Sequence, residues 1–184
     1  MVSQISVNFN VTYSDDWSQD HAKCIDYISS KIRLLFDIAR VGWRNFPGPS
    51  FSGVTTVLRI PADSQKSAVA MAAPFFTDSK ELISSANEVS FRRSLSVNDQ
   101  FFSNLGIQTF FGVDESKLVV FNGIPKMHSN VFASCGLEIS SDYNDRYAFN
   151  EREDYISAED VMTRMLSAGY DSAREAVGVV KQGG

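Results

Sequence analysis

Carboxylates, tyrosines and two cysteine–histidine pairs are the only side chains in this sequence whose grouping suggests chemistry. The densest group is SSDYNDRYAFNEREDY, residues 140–155, with five acids, three tyrosines and a phenylalanine in sixteen positions. Oxygen ligands for a cation are the first chemistry to test. Asp142, Asn144 and Glu153 fall at the first, third and twelfth positions of a calcium-binding loop. Arg146 then occupies the fifth position, where an oxygen is required, and Tyr147 stands where a glycine makes the turn. A guanidinium opposes the cation directly, so this pattern is rejected. His21 and Cys24 are three apart on a helical stripe and read as core, and two cysteines with two histidines lack zinc-ligand spacing. No metal and no cofactor is expected.

Catalysis has equally little support. Cys135 and His128 could be drawn as a thiol–imidazole pair, but their flanks FASCGLE and KMHSN carry no nucleophile signature. Nucleophile-elbow, metalloprotease and phosphate-loop motifs are missing from the sequence. Arg92 and Arg93 beside Phe91 could take up a phosphate or carboxylate, although strand alternation turns one of them outward at no cost. The catalytic residues are unknown, and an enzyme is the less favoured reading.

Recognition fits better. Charge runs are usually solvated, yet a segment meant only for solubility does not need Tyr143, Tyr147, Phe149 and Tyr155. Rings supply contact area and acids steer an encounter. Asp142, Tyr143, Asp145, Tyr147, Glu151, Glu153 and Asp154 are therefore the candidate partner-binding residues. A second candidate is the aromatic loop at 41–51, with Trp43, Arg44, Phe46 and Phe51 around two prolines. Plugging the base of a helix is the plainer use of those rings.

Charge distribution supports the first choice. Residues 138–160 hold eight acids against Arg146 and Arg152, a net of −6. The rest of the chain, with 15 basic and 14 acidic residues, is +1, which together give the formal −5. An acidic chain without a basic face argues against direct nucleic-acid binding. No apolar run reaches the roughly 18 residues that span a bilayer, and the first ten residues lack a secretion signal. A cytoplasmic location, including a host cytoplasm, is expected, with Cys24 and Cys135 as free thiols.

The elements that must position these groups follow from periodicity. The 184 residues suit one domain, 1–184. Ile5, Val7, Phe9, Val11 and Tyr13 alternate with polar residues and predict the first strand. Asp15 or Asp16 then caps a helix over 15–41, with Gln19 completing a capping box and Ile25, Ile28, Ile32 and Leu35 on its buried face. Strands are predicted at 54–60, 89–95 and 131–139, with 107–113 and 118–121 as a hairpin around DESK. Residues 67–73 read as a returning strand or a short alanine-rich helix, the strand being favoured because Pro61 and Asp63 suit a turn. Short helices are predicted at 78–86 and 97–105, the latter capped by Ser96. Two more close the chain, the first capped by Ser157 and stopped by Gly169, the second capped by Asp171. The fold class is α+β: a mainly antiparallel sheet packed against one long N-terminal helix, with short C-terminal helices.

The function expected on these grounds is a non-enzymatic module that presents an acidic, tyrosine-rich surface to a basic protein, as an inhibitor, immunity or counter-defence protein would. The alternatives are a small enzyme or ligand-binding domain with its pocket between the long helix and the sheet, and an assembly protein of a particle or filament. The sequence leaves the oligomeric state open.

Overall fold

The computed structural model describes residues 7–14, 20–76, 83, 85–128 and 131–183. Helix α1 spans His21–Gly42, and the Asp20 carboxylate accepts from the Lys23 amide at its start. The expected cap at Asp15 or Asp16 and the box with Gln19 lie outside the described residues. Strand β1, Gly53–Ala62, is followed by helix α2, Gln65–Ala72. The expectation of a strand at 67–73 is corrected: Ser64 caps a helix there, and Ala68, Val69 and Ala72 are buried on one face.

Strands β2, Ser90–Val97, and β3, Phe101–Val113, form an antiparallel hairpin. The helix expected over 97–105 is thereby overturned. Asn98 and Asp99 both hold positive φ, at 51° and 48°, and the Gln100 amide donates to the Val97 carbonyl. Three residues, Asn98 to Gln100, thus connect Val97 to its ladder partner Phe101, and asparagine and aspartate tolerate a positive φ best after glycine. The same polar residues that suggest a helix start serve here as turn formers.

The DESK segment is a single 3-10 turn, Glu115–Lys117, and not the tip of a β3 hairpin. Strand β4, Val119–Phe121, instead pairs with β5, Ile124–Lys126, through the turn at Asn122 and Gly123. Strand β6, Phe132–Asn144, runs five residues past the expected end at Ile139. Helix α3, Arg146–Glu151, and helix α4, Glu159–Gly183, complete the chain. The helix expected at 78–86 falls largely outside the described residues.

The main sheet is antiparallel throughout, in the order β1-β6-β3-β2. A mixed helix and antiparallel-sheet content makes the fold α+β, but the covering helix is the last one. Ala173, Ala176 and Val180 of α4 pack on Leu105, Ile107, Leu137 and Ile139, while α1 packs on α4 through Ile32, Phe36 and Leu166. Two short C-terminal helices were expected because Gly169 reads as a stop. Gly169 instead lies within α4, where a β-carbon would sit 3.5 Å from Thr56 Oγ1 and 3.7 Å from the Tyr143 ring. With Ala173 and Ala176 it forms a row of small residues that lets the helix approach the sheet.

The first expected strand is also corrected where it is described. Residues 7–14 adopt no regular structure. Among the described residues no helix is long and apolar enough to cross a membrane.

Candidate functional site

The C-terminal end of β6 is built around one carboxylate. Asp145 is fully buried, and the Ser52 amide donates to its Oδ1 at 2.7 Å. Its Oδ2 accepts from the Tyr155 hydroxyl at 2.9 Å and from the Ser52 hydroxyl at 3.4 Å. The Asp145 amide in turn donates to the Ser52 carbonyl at 3.1 Å. Ser52 Oγ also shares a hydrogen bond with Ser157 Oγ, and the Ser157 amide donates to the Pro49 carbonyl at 2.9 Å. Gly48 completes the seam at φ +112°, where a β-carbon would meet Ile156 Cγ2 at 2.5 Å. A left-handed conformation and a close approach coincide there, so glycine is required.

The consequence is that the aromatic loop and the acidic segment, separate candidates in the sequence, are joined into one surface. Phe51 and Phe149 lie 5.4 Å apart between ring centroids, each 38% exposed, and the Arg146 guanidinium covers Phe51 at 5.3 Å. Trp43, 57% exposed, leans on Phe46, which anchors the loop edge-on against Phe36 of α1. Arg44 is exposed.

The seven residues first assigned to partner contact separate by role. Asp145 is the internal hub. Tyr143 points to the helix side and packs with Phe101, Val161 and Met165. Tyr147 is half-buried, edge-on to Phe102 at 5.4 Å. Asp142 lies on the open face of the sheet. Glu151, Glu153 and Asp154 alone are exposed acids. The other acids of the −6 segment at its two ends are engaged in surface ion pairs within the chain. Glu138 pairs with Arg59 at 2.8 Å, Glu159 with Arg33 and Arg40, and Asp160 with Arg164. No ion pair among the described residues involves Glu151, Glu153 or Asp154.

Burial first, and then the hydrogen bond to and charge of Asp145, push the Tyr155 hydroxyl up to about 12. A phenol whose folded value exceeds the unfolded value of about 10 stabilises the fold below pH 10. That contribution is lost as pH rises from about 10 through about 12. We expect a tyrosinate absorbance titration to show a late fraction among the six tyrosines, and Tyr155→Phe to reduce it. An unchanged late fraction would show that Tyr155 is solvated.

Opposite the helices, the sheet shows an open polar face ordered in cross-strand rows. One row is Ser90, Gln108, Glu138 and Arg59; the next is Arg92, Gly106, Ser140 and Val57; the third is Ser94, Asn104, Asp142 and Thr55. The middle row is low, because a β-carbon on Gly106 would meet Ser140 Oγ at 2.5 Å. It forms the floor of a concavity of about 300 Å³ with the exposed Arg92 at its lip. Both flanking carboxylates are engaged. Asp142 accepts from Thr55, Asn104 and Asn144, and Glu138 from Arg59 and Gln108. This concavity is on the opposite face from the helix–sheet layer, where a pocket was expected and where core side chains fill the space.

The remaining candidates fall elsewhere. Cys24 is buried and His21 stacks on Tyr170 at 3.4 Å, its value lowered by burial and then by Arg174. Cys135 is half-buried and its thiol donates to the Ala62 carbonyl, whereas His128 is exposed. Ser52 was missed by sequence reasoning. Ser157 was expected as a helix cap, and its buried hydroxyl shares a hydrogen bond with Ser52 Oγ in the seam.

The fold and site define a helix-covered antiparallel sheet with a polar open face and a ring-and-acid surface at one end. No family matches the chain, and neither a curated protein nor a solved structure matches it.

Proposed function

We propose that this protein is a non-enzymatic binding module whose recognition surface combines the aromatic loop with the segment at 145–157. The observation that carries the reading is the buried Asp145 seam. It fixes two sequence-distant segments together and leaves exposed rings at Phe51 and Phe149. Glu151, Glu153 and Asp154 then remain as the unpaired acids available to a basic protein partner. Rings held in place lose little freedom on binding, and rim acids raise the encounter rate. An inhibitor, immunity or counter-defence role suits that chemistry. Free thiols at Cys24 and Cys135 suit a reducing cytoplasm, that of a host included.

The test uses the wild type and two variants, Glu151→Gln/Glu153→Gln/Asp154→Asn and Phe51→Ala/Phe149→Ala. Each is immobilised and challenged with extract at about 0.05 and 0.3 M salt, conditions that bracket strong and weak screening. A partner is a protein retained by the wild type at low salt and reduced on both variants. With that partner purified, the acid variant is expected to slow association about tenfold and flatten its salt dependence. The ring variant is expected to speed dissociation. Identical retention and rates for all three proteins would refute the reading. A ligand-binding reading at the open-face concavity is favoured only by Arg92, since the carboxylates there are already engaged by neighbouring side chains.

A further inference from the structure

The N-terminal segment has the clearest strand period in the sequence, yet its described residues, 7–14, pair with no strand among the described residues. Val7, Phe9, Val11 and Tyr13 alternate with Asn8, Asn10 and Thr12. Residues 7–14 lie in no strand or helix, and Val7 and Phe9 are 75% and 46% exposed. A strand in this condition presents backbone donors and acceptors together with an apolar face, which an open sheet edge satisfies.

We infer that residues 7–13 add as a strand to the free edge of β2 in a second copy of the chain. β2 is the edge strand next to β3, and Arg92 to Ser96 along it are exposed. Its two faces match the arm. Ser90, Arg92, Ser94 and Ser96 lie on the polar open face, while Phe91, Arg93, Leu95 and Val97 lie on the helix side, where Arg93 is exposed at the edge and Leu95 is still 46% exposed. An added arm continues both surfaces, placing Asn8, Asn10 and Thr12 beside the serines and Val7, Phe9 and Val11 beside Leu95. Residues 1–14 contain no charged side chain, so nothing in the arm repels Arg92 or Arg93. The other edge is less suited, because Pro61 removes a donor from β1.

The arm comes from a second copy because its own base is held elsewhere. The Tyr13 hydroxyl donates to the Cys24 carbonyl at 3.0 Å and its ring meets Tyr27 edge-on at 6.4 Å, both on α1. α1 in turn packs with Val54 of β1, at the edge opposite β2. Two chains can then exchange arms reciprocally, a closed arrangement.

The test is the solution mass of the full chain over a concentration series, by light scattering and sedimentation. Wild type is expected to approach twice the mass of one chain. Val7→Asp/Phe9→Asp and Leu95→Asp are each expected to return it to a single chain with unchanged circular dichroism. As a check needing no variant, amides of 8–13 and 91–96 in the wild type should exchange slowly when concentrated and faster on dilution. A wild type of single-chain mass at every concentration, or a dimer indifferent to the arm variant, overturns the inference. So does a monomeric arm variant beside a dimeric Leu95→Asp, which would place the arm on another edge.

Discussion

Asp145→Ala is expected to lower the free energy of unfolding by about 3 kcal/mol, because hydrogen bonds to a charged group contribute about 1.5–3 kcal/mol and orphaned buried donors cost more. The side chain has no exposure and accepts from the Ser52 amide, the Ser52 hydroxyl and the Tyr155 hydroxyl. Its removal strands the Ser52 amide and the Tyr155 hydroxyl proton where water enters poorly, while the Ser52 hydroxyl keeps its bond with Ser157 Oγ. Tyr155→Phe, which removes a single donor, should cost about 1 kcal/mol. Urea unfolding measures both, and the double variant gives the coupling between them, expected to be nonzero because the two groups touch. A loss under about 0.5 kcal/mol for Asp145→Ala, the range of surface substitutions, would mean that the seam is solvated. The aromatic loop would then lack its fixed position beside Phe149.

The role of Asp145 could not be read from the sequence. It sits among acids that look alike, and its partner Ser52 is 93 residues away. Local pattern reports which face of an element is apolar, so 54–60 and 131–139 were legible as strands, and their buried sides follow the alternation. Pattern does not report what lies across from an element. Val7 to Tyr13 alternate as well as any strand here, yet alternation supplies no neighbour. The acidic run was read as one face for the same reason. Asp142 and Tyr143 are adjacent in sequence but on opposite sides of β6, and the chain then turns at Asp145. Ring-rich and acid-rich segments were legible as candidates; the seam that joins them was not.

The rotation of α1 gives the second large effect. The sequence stripe places Leu35 among the buried residues, but the structure buries Cys24, Ile32 and Phe36, with Leu35 half-buried. These positions, with Ile28 between them, follow a four-residue row, the kind of ridge that fits into the groove of another helix. A broader stripe would suit a helix lying on a sheet, and α1 instead meets Leu166 and Met162 of α4. Phe36 also stands edge-on to Phe46 at 6.4 Å, so it fixes the loop that carries Trp43. Phe36→Ala is therefore expected to cost about 3–5 kcal/mol through the cavity left between two helices and a loop. Leu35→Ala removes a side chain that already meets solvent and should cost under about 1.5 kcal/mol, less than full burial of a leucine contributes. Denaturant midpoints at constant slope distinguish the two. Equal losses, or a larger loss at Leu35, would turn the buried ridge toward that side, and the aromatic loop would lose its anchor on α1.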